Sequence, residues 1–118
     1  MLEALNDIDR KNYFLPRTKE VIELIRGTGS DNIKLLFDLY HEQLMAGNLI
    51  NTIRENIDIV GHFHVADAPG RHEPGTGEIN YRSVLSAIEK TGYDRYVGLE
   101  YMATVRDGET LGFAEEFR

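Results

Sequence analysis

At 118 residues the chain is long enough for one small domain, and its 42% hydrophobic content is that of an ordinary globular protein. Thirteen basic residues against twenty acidic ones give a formal charge of −7 with no Lys/Arg run, which disfavours attraction to a polyphosphate and argues against a nucleic-acid partner. No stretch approaches the ~20 apolar residues of a membrane span and Met1-Leu2-Glu3 opens no export signal, so no membrane partner is expected and the cytoplasm is the expected compartment. The absence of cysteine excludes disulfides and thiolate ligands, leaving carboxylates and imidazoles as the only strong metal ligands.

In chain order, Met1 to Leu5 reads as a clipped strand, followed by a polar loop over Asn6 to Asn12 that fits no regular period. After Pro16 a helix is expected over residues 17–26, with Thr18 as a cap, Val21, Ile22, Leu24 and Ile25 as one stripe, and Gly27 and Gly29 closing it. Residues 33–39 look like a buried parallel strand in which Leu36, Asp38 and Tyr40 share a face. The segment from His41 to Gly47 fits no element clearly. Asn48 can start a helix carrying Leu49, Ile50, Ile53 and Ile57.

A strand is expected at 60–66, where His62 and His64 point one way and Phe63 and Val65 the other. A loop rich in Pro and Gly follows, with Arg71, His72 and Glu73 in it. Asn80 can cap a helix presenting Val84, Leu85 and Ile88 and stopping at Gly92. The fourth strand, near 96–102, places Gly98 and Glu100 on one face and Val97, Leu99 and Tyr101 on the other. Asp107 is expected to cap a last helix, with Leu111, Ala114 and Phe117 along a face. Strand and helix thus alternate four times, which predicts an α/β fold with an all-parallel sheet and right-handed crossovers.

Each expected strand carries one metal-capable residue on its less apolar face near its C-terminal end: Glu3, Asp38, His64 and Glu100. Their spacings are 35, 26 and 36 residues, close to the ~30 of one βα unit in an eight-unit barrel. Taken singly, Asp38 or Glu100 reads as a capped or solvated strand end, and the histidine pair reads equally as satisfied core histidines or as ligands. Recurrence at the same position of successive units is what turns the reading toward a shared ion. Three carboxylates and one imidazole suit Mg²⁺ or Mn²⁺ better than a structural zinc.

Leu2-Glu3-Ala4-Leu5-Asn6, Leu36-Phe37-Asp38-Leu39-Tyr40-His41, Gly61-His62-Phe63-His64, Pro69-Gly70-Arg71-His72-Glu73-Pro74, Gly77-Glu78-Ile79-Asn80-Tyr81 and Val97-Gly98-Leu99-Glu100-Tyr101 resemble the hydroxypyruvate isomerases. These belong to the xylose-isomerase-like TIM barrels, alongside the ketose 3-epimerases. The resemblance runs over the whole chain and covers half of the family's fold, the fifth to eighth βα units, so residues 1–118 are expected to form a (βα)4 half of a TIM barrel. It implies a divalent ion held at Glu3, Asp38, His64 and Glu100, with Glu3 and Glu100 as the pair that removes and returns the substrate α-proton. It further implies that His41 and Arg71 hold substrate oxygens, Arg71 matching a carboxylate through its two-pronged geometry. Some relatives carry glutamine where His64 stands, and the epimerases space the loop arginine closer to the histidine, so the resemblance favours the hydroxypyruvate branch. His72 and Glu73 are read as loop residues.

The inner face of such a half-barrel would be open to water, whereas parallel sheets are normally covered on both faces. The expected partners are therefore a small hydroxy-carbonyl substrate and either a second copy or a separate chain completing the barrel. Two other readings stand beside the isomerase. One is a phosphodiesterase resembling the abasic-site endonucleases, against which four histidines and the −7 charge argue. The other is an inactive half-barrel serving as an assembly module.

Overall fold

The computed structural model describes residues 1–117. Four strands, β1 (Leu2–Glu3), β2 (Leu35–Asp38), β3 (Val60–Val65) and β4 (Val97–Leu99), form one parallel sheet in the order β1-β2-β3-β4. Between them lie α1 (Thr18–Thr28), α2 (Leu39–Met45), α3 (Leu49–Asn56) and α4 (Tyr81–Glu89), with 3₁₀ segments at Ile57–Ile59 and Asp107–Phe117. Parallel strands joined through helices are the arrangement expected of a four-stranded half of a TIM barrel.

Alternation within the strands decides which side is core. Leu35 and Phe37 of β2 and Phe63 and Val65 of β3 are almost wholly buried. They pack with Val21 and Ile25 of α1, Leu49 and Ile53 of α3, and Val84 and Ile88 of α4. Phe63 sits at the centre, edge-on to Phe37 (centroids 5.8 Å apart) and to Tyr93 (4.9 Å). The intervening residues Glu3, Leu36, His62, His64 and Gly98 lie on the opposite face and stay partly accessible.

The elements depart from the sequence expectation in several places, each with a local cause. The strands are shorter at their ends than expected. Tyr40 does not continue β2: Asp38 Oδ1 accepts hydrogen bonds from Tyr40 N (2.8 Å) and His41 N (3.0 Å), so Asp38 ends the strand and caps α2. This helix occupies most of the His41–Gly47 segment that the sequence left without an element. Thr18 is the first residue inside α1 and is buried; the cap position is Arg17, whose side chain makes no capping bond. Gly29 closes α1 in the left-handed conformation, at φ +64°. Asn48 precedes α3 without a side-chain cap, whereas Asn80 does cap α4 by accepting from Ser83 N. The last segment is 3₁₀ in place of an α-helix; the side chains of Asp107 and Phe117 lie outside the described residues. No helix among the described residues is long and apolar enough to cross a membrane.

Candidate metal centre

Register explains how four residues from four strands can meet. Asp38 and His64 are direct neighbours across β2 and β3, and His64 pairs with Gly98 of β4. On β1 the row is offset: Glu3 pairs with Leu36, one pleat before Asp38. On the β4 side Glu100 stands two residues beyond Gly98, its N–H donating to Val65 O (3.1 Å). The shorter Asp and His therefore occupy the middle strands and the longer glutamates the outer ones. In a flat sheet the outer strands would be about 14 Å apart, yet ligand atoms from all four residues lie within 4.8 Å of one another. Inward curvature and the reach of the two glutamates together close the ring. Gly98 makes room for it: a Cβ there would stand 2.7 Å from His62 Nε2 and 3.0 Å from His64 Cδ2.

The electrostatics are those of a site short of positive charge. Glu3 is pushed from 4.5 up to about 7, first by burial and then by the neighbouring charges of Asp38 and Glu100. Burial also raises the Asp38 carboxyl, against the pull of His41 and Arg71. His64 Nδ1 is 3.3 Å from Glu100 Oε2 and 4.0 Å from Glu3 Oε1. Glu3 Oε1 and His64 Nδ1 are buried without a hydrogen-bond partner among the described residues. Two unpartnered buried ligand-type atoms, one an oxygen and one a nitrogen facing it, together with two further carboxylates, fit a divalent cation of the hard, oxygen-preferring class. His62, on the same strand face, is not among the four; its ring stacks edge-on against His64 with centroids 5.0 Å apart.

Arg71 enters from the loop after β3. Asp67, wholly buried, accepts from Ala68 N (2.9 Å), Gly75 N (2.8 Å) and Ile79 N (3.0 Å) and so folds the loop around itself. Gly77 allows that closure, since a Cβ there would meet Ala68 O at 2.1 Å. His72 and Glu73 tie the loop to the chain leaving β4, through Met102 O and Thr104. Arg71 itself takes a left-handed backbone, φ +59°, with its carbonyl accepting from Met102 N (2.8 Å). Its guanidinium lies 2.5 Å from Glu100 Oε2 and 3.9 Å from Asp38 Oδ2, above the Tyr40 ring.

His41, on the first turn of α2, is buried beside Asp38, with Nε2 4.0 Å from Asp38 Oδ2 and no hydrogen-bond partner. Burial lowers its proton affinity. A polar network that sequence reasoning missed surrounds it. Asn6 is wholly buried against His41, and Asp9 bonds both Asn6 Nδ2 (3.1 Å) and the Tyr40 hydroxyl (2.6 Å). The only signal was the density of polar groups over Asn6 to Asn12, which reads equally as a solvated loop. Glu3, Asp9, Tyr40, Arg71 and Glu100 line one cleft of about 890 Å³, a size that suits a small ligand. A second cleft of about 520 Å³ lies on the helical side, walled largely by apolar residues such as Val65, Leu85, Val97 and Leu99 and lined by none of Glu3, Asp38, His64 and Glu100.

A family model for the xylose isomerase-like TIM barrel matches residues 1–117. The chain is 37% identical over 118 residues to the hydroxypyruvate isomerase of Escherichia coli (strain K12), covering 100% of this chain and 46% of that protein. It is 32% identical over 117 residues to a 2-oxo-tetronate isomerase of Cupriavidus necator, covering 99% of this chain and 45% of that protein. Among solved structures, one described as an AP endonuclease, family 2, from Brucella melitensis superimposes with a TM-score of 0.93 at 33% identity, over 98% of this chain and 45% of that one. The chain therefore spans about half the length of the relatives it matches. On the strength of that chain-long match, it belongs to the xylose isomerase-like TIM barrel family.

Proposed function

We propose that this chain carries the metal and proton-transfer half of an isomerase that moves a hydrogen between adjacent carbons of a small hydroxy-carbonyl acid, hydroxypyruvate being the nearest substrate type. In this reading it corresponds to the last four βα units of the barrel. The single observation that carries the proposal is the convergence of Glu3, Asp38, His64 and Glu100 within 4.8 Å at four successive strand ends. A Mg²⁺ or Mn²⁺ ion held by those four would supply positive charge beside the substrate's carbonyl and hydroxyl oxygens, stabilising the enediolate that forms when the α-proton leaves.

The chain's own groups supply the rest. Glu100 and Glu3 reach in from opposite edges of the sheet, so one can take the α-proton from one side and the other return a proton to the adjacent carbon. Arg71 offers a planar fork to the substrate carboxylate, and the Tyr40 ring beneath it sets the plane. His41 offers a ring nitrogen beside Asp38 to a substrate oxygen. The open inner face, carrying Leu36, His62 and His64, is covered in the working enzyme by a second copy or by a chain supplying the remaining units. The endonuclease name of the Brucella structure transfers less well, because the cluster offers a single histidine and the chain's charge of −7 repels a polyanion.

The test combines Mn²⁺ titration, sedimentation, and exchange of the substrate α-proton in D₂O with hydroxypyruvate and metal. The reading expects one ion per chain, an assembly larger than a monomer, and exchange that Glu100→Gln abolishes while the fold is kept. Absence of any stoichiometric metal binding would end the isomerase reading and leave the assembly-module reading in its place. Persistent exchange in Glu100→Gln would remove Glu100 from its role.

A further inference from the structure

Which nitrogen of the His41 ring carries its proton decides what the ring can offer a substrate oxygen. Asn6 answers that question. Its backbone N–H points at His41 Nδ1 from 3.1 Å, and its side-chain Nδ2 stands 2.5 Å from the same atom. The orientation of the Asn6 amide is set independently: Oδ1 accepts from Asp9 N at 2.8 Å and Nδ2 also donates to Asp9 Oδ2 at 3.1 Å. Every polar atom of the Asn6 side chain is thereby used, inside a residue with no exposure. A backbone N–H cannot be reversed, so Nδ1 faces a donor whichever way the amide is drawn. Rotating the imidazole by half a turn would put a ring carbon in that position and forfeit both contacts.

From this we propose that Asn6 is a positioning residue that holds His41 as the neutral tautomer protonated on Nε2, making His41 a hydrogen-bond donor on the side of the ring that faces Asp38. Nε2 is the ring's free end. It is buried, has no hydrogen-bond partner among the described residues, and lies 4.0 Å from Asp38 Oδ2. A nitrogen that carries a proton can neither ligate a metal nor act as a base, which separates His41 from His64 even though both are neighbours of Asp38. What it can do is donate to an oxygen placed beside Asp38. The inference rests on the isomerase reading for the identity of that oxygen, a substrate carbonyl that gains negative charge as the α-proton leaves. The class of ligand follows: a molecule that presents an acceptor oxygen at that point, with an amine or another donor there being rejected.

The test is long-range ¹H–¹⁵N NMR of the histidine rings in the full chain at neutral pH, without metal or substrate, the His41 signals being those lost in His41→Gln. The expected result is Nδ1 in the range of an unprotonated ring nitrogen and Nε2 in that of a protonated one. The reverse assignment, or an exchange average of both tautomers, overturns the proposal. Asn6→Asp keeps the shape but sets a carboxylate against Nδ1, and should shift Nδ1 toward the protonated range. An unchanged Nδ1 in a folded Asn6→Asp protein would show that the Asn6 side chain does not select the tautomer. If that variant does not fold, the spectrum of the parent chain alone decides. Because the measurement uses no substrate or ion, a negative isomerase assay leaves it standing, and a wrong tautomer leaves the metal titration standing.

Discussion

Replacing Glu3 by glutamine tests the electrostatic argument at the centre of the site. In the folded chain without metal its carboxyl is pushed from 4.5 to about 7, by burial first and by Asp38 and Glu100 next. Each tenfold gain in proton affinity corresponds to about 1.4 kcal/mol, so the full shift is worth roughly 3 kcal/mol. With 26% of the side chain open to solvent, screening reduces this to about 2 kcal/mol. The folded carboxyl binds its proton more tightly than the unfolded one. The contribution of this group to stability is therefore fullest below pH 4.5 and is lost as the pH rises through about 7. Glutamine has the shape of the neutral acid and no charge to desolvate. Urea unfolding with a chelator present should find Glu3→Gln about 2 kcal/mol more stable than the parent at pH 8 and indistinguishable from it at about pH 4. Added Mn²⁺ should reverse the order at pH 8, because the parent gains a ligand that the variant lacks. A variant no more stable than the parent at pH 8, or a difference independent of pH, would refute the reasoning.

Four further outcomes follow from the same geometry. His64→Ala should weaken Mn²⁺ affinity at least about tenfold, read by calorimetric titration, with little change in the melting temperature of the metal-free chain. Arg71→Met should tighten Mn²⁺ binding by about tenfold, since the guanidinium sits 2.5 Å from Glu100 Oε2 and 3.9 Å from Asp38 Oδ2 and competes for both; Arg71→Lys, which keeps the charge, should change it less. Asp38→Ala should cost about 1 kcal/mol of metal-free stability through the lost α2 cap, whereas Asp38→Asn should keep the cap and lose only the ion. Gly98→Ala should displace the rings of His62 and His64, which a Cβ would approach to 2.7 and 3.0 Å. It should destabilise the chain by about 1–3 kcal/mol and weaken Mn²⁺ binding in the same titration.

Local chemistry was enough to place the strands and to single out the four ligand-type residues. The alternation at Val60 to Val65 separates a packing face from a polar face whatever surrounds it, because successive side chains of a strand must point to opposite sides. The spacing of Glu3, Asp38, His64 and Glu100 likewise follows from the length of a βα unit. What remained hidden depended on contacts between distant segments. The Asp38 carboxylate can end a strand, cap a helix or face an ion, and only the fold shows Oδ1 capping α2 while Oδ2 turns toward Arg71 and His41. The offset of Glu3 and Glu100 from the Asp38–His64 row is a matter of sheet register and curvature, which no single strand encodes. Asn6 and His41 are 35 residues apart and Asp9 and Tyr40 are 31 apart. Their hydrogen bonds exist because β1 and β2 pair side by side, which brings the loop after one strand onto the helix after the next, where Asn6 and His41 are cut off from water and are left to bond each other.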